Sequence, residues 1–281
     1  MSTPATARRP SYVGSVLRIF DLSLGEMLWS RRSVFLALLV GGPVVLAVIS
    51  RVVWALTPVD ALRVNGASVS GPGIFGLMIW LLYVRFIVPI LGVFYGTGLI
   101  ADEVENRTLT YLFTRPIPRG AVLVGKYLAY LACTVLLILP SVVLVFFLMV
   151  PLNGGSIGAQ FPSLVGDLGM LAAGLAAYGA VFGWVGARVR RPLVAGLVFV
   201  LGWEPAVLLF PGYLKHLTVA YYLQALVPHA MPEDSAISAL LQAFSDVPGV
   251  APSLLALAIL TGAALWVAAR TVESREYVLE Q

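Results

Sequence analysis

Charge is scarce in this sequence: Asp, Glu, Lys and Arg make up 11% of 281 residues, against roughly 25% in a soluble domain. That deficit excludes a surface solvated all round by water. Cysteine is scarcer still, with Cys133 alone, which excludes an internal disulfide framework and any thiolate cluster. There are two histidines, His216 and His229, and no His-Glu-x-x-His, so the commonest zinc-protease signature is missing. What abounds is apolar: 59% of residues are hydrophobic and the mean hydropathy is +0.93. A disordered chain has the opposite balance. The composition is that of a polytopic membrane protein.

A bilayer-crossing helix needs about 20 mainly apolar residues. Six stretches qualify, at 33–54, 73–101, 121–150, 164–187, 193–211 and 250–269. Pro140 predicts a kink in the third, and Pro252 stands at the start of the sixth, where its missing donor is harmless. Fourteen of the eighteen basic residues fall at the ends of spans on one side, among them Arg31, Arg32, Arg119, Lys126, Arg188, Arg190, Arg191 and Arg270. The opposite side holds Arg63 and Lys215, while Arg51 and Arg85 lie within spans. Basic residues stay on the cytoplasmic side. The expected arrangement is therefore a single all-α transmembrane domain over 1–281, with six crossings and both termini cytoplasmic. The connection 102–119 is the sizeable inner loop, and 212–249 is a long outer loop with short helices of its own.

Ahead of the first span, Val13, Val16, Leu17, Phe20, Leu24, Met27 and Leu28 recur with helical period. Ser15, Arg18, Asp21, Ser23 and Glu26 occupy the other face. The pattern predicts an amphipathic helix over 12–30, with Ser11 as cap, lying in the inner membrane interface.

The segment GLIADEVENRTLTYLFTRPIPRGAVLVGK, residues 98–126, reads as a charged exit from the second span, a short amphipathic helix and a Pro-x-Pro break. Pro116 and Pro118 disfavour helix in the residues before them, so the chain turns there. A new helix then starts near Arg119 and enters the third span. Glu103, Glu105, Thr108, Leu109, Pro116, Arg119 and Lys126 resemble, in order and spacing, the corresponding loop of ABC-2-type permeases, the membrane subunits of ATP-binding-cassette exporters. Arg107 stands where that family usually has glycine. The resemblance extends to the architecture: an interfacial helix, a coupling loop after the second span and a long outer loop between the fifth and sixth.

The resemblance implies the type-2 (type V) ABC-exporter fold in a plasma membrane. It implies docking on a separate ATPase subunit through Glu103, Glu105, Thr108, Leu109, Pro116 and Arg119, and pairing with a second permease copy, identical or paralogous. ATP and Mg²⁺ would bind the partner, with no cofactor, metal or nucleic acid on this chain. Gly120 to Lys126 spells G-x-x-x-x-G-K, yet Tyr127 stands where a Ser or Thr would hold Mg²⁺, and no strand precedes it. Gly154 to Gly158 matches G-x-S-x-G, again without a preceding strand. Ser30-Arg31-Arg32 reads as a positive-inside anchor rather than an export signal, because five further spans follow.

Arg85 and Glu204 are the charges nearest mid-bilayer, at about 1.5 Å of rise per residue from their span ends. Intramembrane charges face a partner or a wet cavity. Two readings stand: a mutual salt bridge, or a polar lining of the translocation path. The pair also admits a rival function, an ion-coupled secondary transporter, and a third reading is a structural membrane subunit without transport.

Overall fold

The computed structural model describes residues 11–56, 63–64, 67–68, 70–105, 119–152, 155–209, 213–227 and 248–274. The architecture is helical throughout, apart from a ribbon of two-residue strands, Arg63–Val64 and Ala67–Ser68, paired antiparallel with Arg63 opposite Ser68. Asn65-Gly66 separates them in sequence, a dipeptide typical of tight hairpins. An all-α expectation overlooks this ribbon because each strand is too short to show alternation.

Among the described residues, five helices are long and apolar enough to cross a membrane. The first long helix runs Arg31–Leu56, the third Arg119–Met149, the fourth Ile157–Arg188 and the last Val250–Ser274. The second begins at Gly71 under a cap from Ser70, whose Oγ accepts the Gly73 N–H at 3.3 Å. It continues through two π-helical segments, Ile79–Ile87 and Gly92–Gly96, and ends in Gly98–Glu105. This helix is the axis of the bundle: Phe75, Ile79, Tyr83, Val84, Val88, Leu91, Val93 and Leu99 are all fully buried. The fourth long helix packs along it and along the last helix.

The expected fifth span, 193–211, has a different character. It is a shorter apolar helix, Pro192–Val207, assembled from Pro192–Val198, a π-helical segment Phe199–Trp203, and Glu204–Leu209. Proline explains both this break and the first one in the second helix. Pro89 and Pro205 have no N–H to give residue i−4, leaving the carbonyls of Arg85 and Leu201 without that bond. In each case the residue just before the proline bonds five residues back: the Val88 N–H to the Tyr83 carbonyl, and the Glu204 N–H to the Phe199 carbonyl. The helix widens by one residue on the N-terminal side of each proline.

Small residues set the helix spacing. A Cβ on Gly92 would lie 2.6 Å from the Tyr178 Cβ, and one on Gly96 would lie 3.0 Å from the Phe182 Cβ. The two G-x-x-x-G stretches, Gly92/Gly96 and Gly179/Gly183, thus cross each other inside one chain. Hydroxyls then fasten the helices. The Tyr83 hydroxyl lies 2.6 Å from the Ser141 Oγ, which donates to the Val40 carbonyl at 2.8 Å, linking the second, third and first long helices. Tyr127 and Tyr130 donate to the carbonyls of Ala176 and Leu175 at 2.9 and 2.8 Å. Tyr130 reaches its acceptor because Gly179 leaves room for its ring: a Cβ there would sit 2.0 Å from the ring.

The amphipathic helix, Tyr12–Leu28, is capped by Ser11, whose Oγ accepts the Gly14 N–H at 3.1 Å. Ser15 and Ser23, on the face opposite the apolar stripe, are buried with Val16, whereas Val13 and Leu17 of that stripe are exposed. The buried stripe lies on the third long helix at Gly125, where a Cβ would be 2.9 Å from the Ile19 Cβ and from the Val16 carbonyl oxygen. Small residues allow that approach, and the Ser15 hydroxyl is satisfied by the Ser11 carbonyl at 3.2 Å. The larger residues Val13 and Leu17 are left for the bilayer.

Candidate functional site

Two regions combine charge, burial and contact between several helices. The first lies within the bundle. Glu204 directly follows the π-helical segment of the broken helix and is buried. The Tyr178 hydroxyl, from the fourth long helix, donates to its carboxylate, 2.6 Å from Oε1 and 2.7 Å from Oε2. The backbone amides of Val219 and Ala220 also interact with it. Arg85 lies in the longer π-helical segment of the second helix, its guanidinium 5.1 Å from the centre of the Trp80 ring. Arg85 and Glu204 attract each other without a direct ion pair among the described residues. Tyr178 takes the place at the carboxylate that a simple salt bridge would give Arg85. The cation is balanced through space and by the indole face.

This arrangement ties the segment after the broken helix to the bundle. A short 3₁₀ turn, Tyr213–Leu217, leads into a helix, Val219–Gln224. Val219, Ala220, Tyr221 and Leu223 of that helix are buried, and the Leu223 Cδ1 lies where a Cβ on Gly174 would be 2.9 Å away. The segment packs against the fourth helix, the last helix and the π-helical segment carrying Arg85. The His216 ring lies tilted against that of Tyr221, with ring centres 4.9 Å apart. No group of metal-binding side chains forms among the described residues; His229, Glu233 and Asp234 lie outside them. Amides of Val219–Gln224 are expected to exchange slowly with deuterium in nanodisc-embedded protein. Rapid exchange there would show that the segment is not docked.

Sequence reasoning missed one member of this region and one buried carboxylate elsewhere in the bundle. Tyr178 carries no charge and sits in a run of small residues, so nothing in its neighbourhood announced a carboxylate partner. Asp167 gave a signal that went unweighed: a carboxylate inside the expected 164–187 span. It is fully buried, about 16 Å along the fourth helix from Tyr178 by helical rise.

The second region is the arginine-rich end. The second helix continues beyond its π-helical segments to Glu105, carrying Asp102, Glu103 and Glu105, and the third long helix starts at Arg119. Thr108, Leu109 and Pro116 lie outside the described residues, as does the whole connection 106–118. Arg32, at the start of the first long helix, pairs with Asp102 at 2.6 Å. Gly98 makes that contact possible, since a Cβ there would be 2.8 Å from the Asp102 Oδ2 and 3.1 Å from the Arg32 Nη1. Ser33 contributes a second tie, with its hydroxyl 2.8 Å from that of Tyr95 and also bonded to the Met27 carbonyl. Two clefts flank the ion pair. One, of about 370 Å³, reaches Glu26 of the amphipathic helix and Lys126; the other, of about 610 Å³, runs towards Arg190 and Arg191.

A helical bundle with several membrane-length apolar helices, charges held inside it and its arginines gathered at one end defines a multi-pass membrane protein. The chain belongs to the ABC-2 family transporter proteins, whose family model matches residues 21–267. It is thereby a permease subunit of an ABC transporter, a membrane transport component of a kind that partners with an ABC ATPase subunit. No curated protein matches the chain.

Proposed function

We propose that this chain is the membrane subunit of an exporter driven by ATP that a separate nucleotide-binding subunit hydrolyses with Mg²⁺. The observation that carries the reading is the continuity of the second helix from the bundle core to Glu105, with the third long helix resuming at Arg119. Both ends of the connecting loop are thus stiff extensions of membrane helices, and a force applied to the loop moves the core directly. Glu103, Glu105, Thr108, Leu109, Pro116 and Arg119 form the contact with the ATPase. The arginine-rich end faces the cytoplasm of a cell with a plasma membrane, and so do both termini, following the charge rule. The broken helix 192–209 completes six crossings, and a second permease copy, identical or paralogous, supplies the other half of the pathway.

Reversing charge at both Glu103 and Glu105 tests this assignment. The expected result is loss of the co-purifying ATPase, or of transport-stimulated ATP hydrolysis, with membrane insertion intact. Unchanged co-purification and unchanged stimulation would remove the loop from the contact. A second reading, an ion-coupled secondary transporter, draws on the buried Glu204 carboxylate beside Arg85. Cargo movement that continues without ATP and follows an ion gradient would favour it. No cargo movement in vesicles would leave a structural subunit.

A further inference from the structure

The larger cleft at the arginine-rich end has a composition that the transport reading does not use. It lies where the second helix, the end of the fourth and the start of the broken helix meet, and is lined by Thr97, Leu193 and Val194 among others, with Arg32, Arg190 and Arg191 at its polar side. Its one carboxylate, Asp102, is already taken by Arg32 at 2.6 Å. Arg190 and Arg191 are exposed, and their guanidinium groups make no hydrogen bond or ion pair among the described residues. Arg188, just outside the cleft, is in the same state. The turn carrying these three arginines joins the fourth long helix to the broken apolar helix, and on the six-crossing reading proposed above it sits at the depth of lipid headgroups. Val194 beside it is 55% exposed, which gives the site an apolar edge on the hydrocarbon side.

We infer that this cleft binds the phosphate headgroup of an anionic phospholipid, with Arg190 and Arg191 on the phosphate and Leu193 and Val194 against the upper acyl chain. Charge and polarity both select such an occupant. A free anion would leave the apolar edge unused, and a zwitterionic lipid would bring its own cation to a site whose two guanidinium groups are unpaired among the described residues. The volume, about 610 Å³, falls in the range of small-molecule sites, roughly 300–1,000 Å³. Arginine suits the task because its planar fork bonds phosphate with two N–H groups.

The test is native mass spectrometry of the full chain released from nanodiscs of phosphatidylcholine containing graded phosphatidylglycerol. Wild-type protein is expected to retain phosphatidylglycerol in preference to phosphatidylcholine. Each arginine at a membrane surface contributes about a fivefold gain in affinity, so R190Q/R191Q should bind about thirtyfold more weakly. R190K/R191K, which keeps the charge, should stay within a few-fold of wild type, and R270Q, at the same end but away from the cleft, should not change. If the double glutamine variant fails to accumulate, R190Q and R191Q singly should each weaken binding about fivefold. Equal retention by R190Q/R191Q and wild type would overturn the inference. Displacement of the lipid by millimolar glycerol phosphate would also do so, by making a free phosphate ester the ligand. Normal lipid retention together with loss of a co-purifying ATPase would assign the arginines to a protein contact instead.

Discussion

Replacing Glu204 with alanine should destabilise the solubilised protein by about 3–5 kcal/mol, the usual cost of removing one side of a buried charged contact. Four groups lose their partner at once: the Tyr178 hydroxyl, which donates to both carboxylate oxygens, the amides of Val219 and Ala220, and Arg85, whose charge Glu204 balances. Glu204→Gln keeps an acceptor for Tyr178 but loses the charge, so a smaller loss is expected. Adding Arg85→Met to either variant should recover part of it, because the uncompensated cation is then gone. Thermal unfolding of wild type, Arg85→Met, each Glu204 variant and each double variant, read as double-mutant cycles, decides the matter. Strict additivity would mean that Arg85 and Glu204 do not sense each other, and would return Arg85 to the role of an independent cavity-lining charge.

The second large effect is expected at Gly186. A Cβ there would sit 2.3 Å from the Thr97 carbonyl oxygen and 3.1 Å from the Thr97 Cα. Both obstacles are backbone, so no side-chain rotation relieves them, and the second and fourth helices must separate. Overpacking of this kind costs about 1–3 kcal/mol, occasionally more. Gly186→Leu, larger than the gap allows, should leave little monodisperse protein after extraction, and Gly186→Ala should lower the unfolding temperature. Gly183 provides the contrast. Its nearest neighbour is the flexible end of Leu99, 3.2 Å from the would-be Cβ, so Gly183→Ala should be nearly neutral. Equal tolerance at Gly186 and Gly183 would contradict the crossing described above.

Both predictions depend on partners distant in sequence, and that dependence marks where sequence reading stops. Hydropathy exposes membrane helices because each one must satisfy its own backbone and show lipid an apolar surface. Those demands act on a contiguous stretch and leave a contiguous trace. The same logic made the amphipathic helix legible as a helix with its apolar face toward the membrane, but gave no sign of which small polar residues meet the third long helix. A hydrophobic face looks buried in a soluble protein, whereas beside a bilayer Val13 and Leu17 can face lipid while Ser15 and Ser23 take the close helix contact. Pro89 and Pro205 are visible in any reading of the chain. Only the structure shows that each turns the preceding stretch into a π-helical segment, with Arg85 inside one and Glu204 immediately after the other.

The sequence by itself determined that this protein lives in a membrane, which end of it collects the arginines, and, through the pattern around Glu103 to Lys126, its family resemblance. These properties belong to single segments, and the free energy behind them, transfer of a helix between water and lipid, is summed along one stretch of chain. The tertiary structure alone decided which polar groups meet. Tyr178 reaches Glu204 across two helices, Arg32 reaches Asp102 across a separation of seventy residues, and the side chains of Arg190 and Arg191 find no partner among the described residues beside an open cleft. Pairing inside a bundle depends on helix rotation and spacing, which glycines such as Gly98, Gly179 and Gly186 set by contact at less than one side chain's width. No local pattern in the chain encodes that width, because the atoms that define it come from different helices.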